Sequence, residues 1–392
     1  MNLFKTKKGK AYALIAPLFL FLLVFFLWPL LAMMKQSVSD DAVAKVMDRT
    51  AVAIPDWDGQ SVPSVAVQQA VMADIQATDD EQALGDMVRK LNSEQAGFRT
   101  LMTKTITAVK SQSAPTGRLT DIDARWAELP YWQAINKLMA PLTARYLLAA
   151  VDLGQNQQGQ IEALPASQSA NRDILLRTFS IAAMVTVFCV LIGYPYALLL
   201  ASASGWWRNL LFMAVLLPLW TSLLVRTAAW FILLQNRGLI NDALIGLGLI
   251  DQPLALIFNR VGVVIAMTHV LLPFMVLPIY SVLKTIPPNL MPAASSLGAA
   301  PWRAFVTILL PLSYRGILSG MLLVFMTAIG YYITPALIGG PGDQMISSII
   351  AYYATGAANW GMAGALGIIL LVTCLILFSI YSHMTAEKRE AH

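Results

Sequence analysis

Six stretches of this 392-residue chain are apolar for the length of a membrane crossing, and one long stretch between the first two is not. The first runs from Ala11 to Met34, about 24 residues, behind Lys5, Lys7, Lys8 and Lys10. A removable signal has a similar basic start but an apolar core of only about 7–15 residues. The run is therefore expected to stay as a span, since about 20 residues of helix cross the hydrocarbon layer. Five further spans are expected at Ile174–Ala203, Asn209–Gln235, Leu254–Tyr280, Ile308–Pro335 and Met362–His383. Residues 36–172 between them are polar and carry helical stripes: Leu84, Met87, Val88, Leu91; then Phe98, Leu101, Met102, Thr105, Val109; then Ile135, Leu138, Leu142, Tyr146, Ala149. Strand-like alternation is weak there. The pattern predicts an all-α polytopic protein with a mostly helical insertion after its first span, and 154–170 as a flexible return to the membrane.

Composition sharpens this picture. Only 12% of residues are charged and 57% are apolar, against about a quarter charged in a soluble domain. The 36–172 stretch holds sixteen of the twenty-two acids and twelve of the twenty-seven bases, so the spans and their short loops are strongly basic. Short-loop Lys and Arg mark the cytoplasmic side. With the N-terminus inside, that side collects the leading lysines, Arg208, Lys284, Arg303, Lys388 and Arg389, against Arg237 and Arg260 outside. Both termini and the loop near 284–307 are expected in the cytoplasm, and the insertion, with Gln60 and Gln112, outside. No basic stripe with interleaved aromatics points to nucleic acid. Cys189 and Cys374 lie in apolar spans, His269, His383 and His392 are scattered, and no Gly-x4-Gly-Lys-Ser/Thr loop occurs. The chain is expected to bind no metal or nucleotide and to be no enzyme.

The loop Asn289–Ser313 combines a short helix, a glycine stop and a second helix. Pro292 suits a first helical turn, where its missing N–H costs nothing. Gly298 suits the left-handed residue that ends a helix, and Pro301 can open the next. Ala293-Ala294, three residues, Gly298, then Ile308 and Leu310-Pro311 resemble the cytoplasmic loop of type I ABC importer permeases, although Pro292 stands where that pattern has Glu. Pro218-Leu219-Trp220-Thr221-Ser222, Val225-Arg226-Thr227 and Ala229-Trp230 resemble the spermidine/putrescine-type permeases. So do the runs His269–Tyr280 and Tyr331–Gly340, the latter as in the first of two paired permeases. The resemblance covers Ile174–His383.

That resemblance implies the type I permease fold: residues 1–35 as cytoplasmic N-terminus and first helix, 36–172 as periplasmic insertion, 173–384 as permease domain, 385–392 as cytoplasmic tail. It implies a bacterial inner-membrane subunit of an ATP-driven importer for polyamines or similar small organic cations. Its partners would be a second homologous permease, an ATPase dimer carrying ATP and Mg, a periplasmic binding protein and membrane lipid. Pro292, Ala293, Ala294, Leu297, Gly298 and Pro301 would couple to the ATPase. Arg226 is costly at membrane depth and usually faces protein or water there, so it is a candidate pathway or gate residue beside a purely structural alternative. Trp220, Trp230, Tyr331 and Tyr332 could hold a substrate ammonium over their ring faces, or anchor the membrane interface. His269 is a bundle histidine or a pathway residue. An ion-coupled carrier would need intramembrane acids, which are missing, and a sensor using the insertion would lack a cytoplasmic signalling domain.

Overall fold

The structure, a computed structural model, describes residues 7–390 apart from 56, 112–116, 141, 157–159, 166–168 and 358; its side chains are described over 14–383, except residue 380. Lys5, Gln112 and the side chains of Lys7, Lys8, Lys10, Lys388 and Arg389 thus lie outside the described residues. The chain divides into two compact units, 1–148 with 360–365, and 149–359 with 366–392.

The first unit opens with α1 (Lys7–Leu22) and α2 (Trp28–Gln36), joined by a π turn at Leu23–Leu27. Leu14–Gln36 is long and apolar enough to cross a membrane, and none of its side chains is buried. The insertion follows as α3 (Asp48–Ala53), α4 (Val65–Ala77), α5 (Glu81–Glu94), α6 (Phe98–Lys110), α7 (Leu129–Met139) and α8 (Arg145–Ala150). The stripes read from α5 and α6 are its core: Leu84, Met87, Leu91, Phe98, Leu101, Met102, Thr105 and Val109 are buried. The buried indoles are tied by hydrogen bonds, Trp126 Nε1 to Thr105 Oγ1 at 3.0 Å and Trp132 Nε1 to the Trp126 carbonyl at 2.8 Å. Buried Asp74 accepts from Thr50 N at 2.8 Å and Thr50 Oγ1 at 2.7 Å, so its carboxylate keeps partners that replace water. One expected stripe breaks. Leu142 is 75% exposed, because α7 stops at Met139 and Ala140 turns extended (ψ 117°), as a residue before proline must.

A polar network lies beside this core. Lys90 Nζ is 2.7 Å from Asp40, Tyr146 Oη donates to the same carboxylate at 2.6 Å, and Arg145 reaches Glu94 at 2.6 Å. Burial pulls the Lys90 ammonium below its ordinary pKa, with the Asp40 carboxylate opposing that shift. Gly361 lies so close to Tyr146 that a Cβ there would fall 2.5 Å from its ring.

The second unit begins with a hairpin, β1 (Leu153–Gln155) antiparallel to β2 (Ile161–Ala163), so part of the expected flexible return is ordered strand. Asp152 beside it caps the next helix, accepting from the N–H of Asn171 at 3.0 Å and of Arg172 at 2.8 Å. Then come α9 (Asn171–Ser202), α10 (Gly205–Trp220), α11 (Leu223–Leu233), α12 (Leu239–Gly246), α13 (Arg260–Leu283), α14 (Leu290–Ser296), α15 (Pro301–Ala304), α16 (Leu310–Gly330), α17 (Ile333–Ile338), α18 (Ile346–Ala351) and α19 (Trp360–Glu390), whose residues 360–365 belong to the first unit. Among the described residues, five helices are long and apolar enough to cross a membrane, and six if the bent pair α10 and α11 is one span.

Three expected spans have other bounds. The span at 209–235 is broken: α11 turns 102° from α10. Pro218 removes one ladder bond, Thr221 and Ser222 are extended, and Thr221 Oγ1 donates at 3.1 Å to the Pro218 carbonyl, which loses its helical N–H partner where α10 ends. The span expected from Leu254 starts at Arg260, because the Asn259 side chain caps α13 by accepting from Gly262 N at 3.0 Å. The span expected at 308–335 runs over Pro301–Gly330, through a π turn at Phe305–Leu309. Tyr331 turns extended four residues before Pro335, whose ring would clash with that residue's carbonyl in a continuous helix.

At the centre, α13 packs between α9 and α16, with Val263, Ala266, Met267, Leu271, Met275, Val276 and Ile279 all buried. Glycines bring these helices together. A Cβ on Gly193 of α9 would sit 2.9 Å from Met275, and one on Gly316 of α16 would sit 3.0 Å from the Ile279 Cα and the Pro278 carbonyl.

Candidate functional site

The loop after α13 builds a surface knob. Its helix α14 covers Leu290–Ser296, with Pro292 in the first turn, where four N–H groups have no helical partner anyway. Gly298 takes φ +83°, and its N–H bonds the Ser295 carbonyl while Ala299 N–H bonds the Ala294 carbonyl, both at 3.0 Å. That pair of bonds is the Schellman stop, which satisfies the last carbonyls and reverses the chain. Ala300 is extended and Pro301 opens α15 at its first position. Pro292, Ala293, Gly298 and Pro301 are exposed, and Leu297 is 89% exposed. Ala294 is instead buried at 7% and faces the chain's own body. Trp302, 74% exposed and stacked on Phe305 at 5.7 Å, extends the apolar surface beside Leu297 in the sequence.

A second cluster forms where α11, α13 and α17 meet. The break at Thr221–Ser222 is what aims α11 across its neighbours, and Thr227 Oγ1 lies 3.2 Å from Thr334 Oγ1 of α17 in a buried hydroxyl pair. One helical turn from Arg226, Trp230 Nε1 donates to His269 Nδ1 at 3.1 Å, with the rings edge to face at 5.4 Å. His269 accepts at Nδ1, so its own proton sits on Nε2. The Arg226 charge acts on both His269 and Tyr331. Its Nε is buried with no hydrogen-bond partner among the described residues, as is Thr268 Oγ1. Beside the cluster lies a cavity of about 520 Å³, walled by Met184, Phe188 and Ile192 of α9, Val264 and Thr268 of α13, and the Trp230–His269 pair.

Four of the six expected pathway residues thus come together: Arg226, Trp230, His269 and Tyr331. Trp220 is 76% exposed at the end of α10, and Tyr332 is 45% exposed. The sequence reading missed Thr268 and the Thr227–Thr334 pair, since lone threonines in apolar runs more often bond their own helix. It also missed the Arg260–Asp343 ion pair (3.3 Å) at the start of α13, whose partners are far apart in sequence.

The family described as "Binding-protein-dependent transport system inner membrane component" matches residues 193–389. Among curated relatives, the spermidine/putrescine transport system permease protein PotB of Salmonella typhimurium (strain SL1344) is 34% identical over 209 residues, covering 53% of this chain and 73% of that protein. PotB of Escherichia coli (strain K12) is 33% identical, covering 53% of this chain and 76% of that protein. Among solved structures, a bacterial alginate ABC transporter in complex with an alginate pentasaccharide-bound periplasmic protein aligns with a TM-score of 0.46 and 18% identity, over 55% of this chain and 78% of that one.

Proposed function

This chain belongs to the binding-protein-dependent transport system inner membrane components, the multi-pass permeases of ABC importers, and on that premise we propose that it imports polyamines or similar small organic cations. A soluble periplasmic binding protein delivers the substrate. A second homologous permease completes the pathway, and an ATPase dimer, which holds the ATP and Mg, drives it. The observation that carries the coupling role is the knob at α14. It is a short helix held by a Schellman stop, with Pro292, Ala293 and Leu297 outward and Ala294 inward. A rigid, small-faced helix of this kind can enter a cleft on an ATPase and pass its movement along α15 into α16. The polyamine assignment is supported by the names of the relatives.

The residues of the pathway are Trp230, His269, Tyr331 and Arg226, with Trp220 and Tyr332 at its margin. Trp and Tyr ring faces attract an ammonium group by about 0.5–2 kcal/mol each, depending on desolvation. The deciding experiment is affinity purification of the tagged chain from its native membrane. The expected result is recovery of an ATPase subunit and a second permease, with ATP hydrolysis stimulated by loaded binding protein. Recovery of the chain alone, transporting with an ion gradient and no ATP, would sink this reading.

Orientation is proposed from the Lys and Arg asymmetry: both termini and α14 cytoplasmic, the insertion periplasmic. Gln60 and Ser295 are both exposed. With Cys189 and Cys374 replaced, a single cysteine at Gln60 should react with an impermeant maleimide on intact cells, and one at Ser295 only after the membrane is opened. The opposite pattern would invert the topology.

A further inference from the structure

Arg226 has a charge that this chain does not answer. No Asp or Glu occurs between Asp173 and Asp242, between Asp251 and Asp343, or between Asp343 and Glu387, so apart from Asp173 in the first turn of α9 the spans contain no carboxylate. Its neighbours His269 and Tyr331 offer no negative charge, and its Nε is cut off from solvent without an acceptor among the described residues. His269 lies nine residues into α13, about 13–14 Å along the helix axis from Arg260, which sets the level of the cluster well inside that span. Arg226 is half-buried, and a guanidinium drawn partly out of water within a span is stable when paired and hydrogen-bonded.

The surroundings indicate where the pair comes from. Leu224 and Val225, next to Arg226 on α11, are 60% and 63% exposed, and Phe188 and Ile192 beside the cavity are also exposed. An apolar face with one unsatisfied cation at its margin is complementary to a helix that is apolar with one acid. We propose that Arg226 forms an ion pair with a carboxylate on a membrane helix of the partner permease, and that this pair fixes the register of the two chains. The assignment rests on the importer reading. A substrate carboxylate fits less well, because substrate is present only in transit and the guanidinium must be neutralised in the empty state too. Pairing with the partner also removes the repulsion that a bare cation would impose on a cationic substrate.

The test uses the purified complex with its copurifying chains. Arg226→Lys places an amine where the guanidinium was, and an apolar carbodiimide joins an amine to a touching carboxylate as an amide, releasing a urea. The expected result is a product that links this chain to the second permease through position 226, identified by peptide mass. Wild type and Arg226→Gln should lack it. The Lys137–Glu94 pair, 2.5 Å apart on the exposed surface of the insertion, reports within the same sample that the reagent has acted. An intact Arg226→Lys complex with the internal product but no interchain product would overturn the proposal. A small-molecule adduct at position 226 would do so as well, and would assign the anion to substrate. If no second permease copurifies, it is the importer reading that fails.

Discussion

Gly298→Val is expected to abolish substrate-stimulated ATP hydrolysis while leaving the assembled complex in the membrane. The reason is backbone conformation. A Cβ at Gly298 would meet nothing within 4 Å, so crowding plays no part, but its φ of +83° is one that a β-branched residue almost never adopts. Holding valine there costs about 1–3 kcal/mol. The cheapest relief is to abandon the Schellman turn, which releases the carbonyls of Ala294 and Ser295 and changes the direction in which the chain leaves α14 for α15. The knob then no longer presents Leu297 in the same place relative to α16, and ATPase movement is lost before it reaches the spans. Gly298→Asn is the control, because asparagine tolerates the left-handed region and should keep most of the stimulation. Hydrolysis measured in reconstituted vesicles with loaded binding protein checks both. Wild-type stimulation by the valine variant would mean that α14 is not the coupling element.

The second large effect is expected from Gly316→Val, and it should be lost assembly instead of lost coupling. Here crowding decides. The added Cβ would lie 3.0 Å from the Ile279 Cα, the Pro278 carbonyl and the Val282 Cβ, and two of these are backbone atoms of α13 that cannot rotate away. Valine adds two further methyl groups, so α16 must move off α13 along their seam. Overpacking of a close-packed interior costs about 1–3 kcal/mol, and more where only backbone can yield. The variant should reach the membrane in reduced amount and unfold at a lower temperature in detergent, followed by size-exclusion of a fluorescent fusion. Gly367→Val, a helical glycine of α19 with nothing within 4 Å of its added Cβ, should behave like the wild type. An unchanged midpoint for Gly316→Val would show that the seam is looser than its geometry implies.

The two variants separate what each glycine does. One supplies a conformation and the other supplies room, and only the first was visible as such in the chain. Gly298 stood out because it follows a short small-residue run and precedes Pro301, a local pattern that local backbone physics explains. Gly316 is one small residue in an apolar helix, and nothing next to it in sequence marks the helix it meets.

The same division runs through the protein. The apolar runs, the helical stripes of the insertion, the α14 stop and the singularity of Arg226 were all legible in the amino-acid order, because each depends on the length, period or charge of a single segment. Pro195, Pro218 and Pro273 look alike in that order. Only packing decided that α9 and α13 run on through theirs while α10 ends two residues past its own and α11 turns 102° away. That turn brings Trp230 to His269 and Arg226 to Tyr331, residues far apart in sequence that no periodicity links. The sequence by itself determined which segments are long and apolar enough to cross a membrane and where the loop helix stops, since water, hydrocarbon and φ restrict each residue locally. The tertiary structure alone decided which side chains share a site, since that depends on how closely α9, α13 and α16 can approach, and their glycines set that distance.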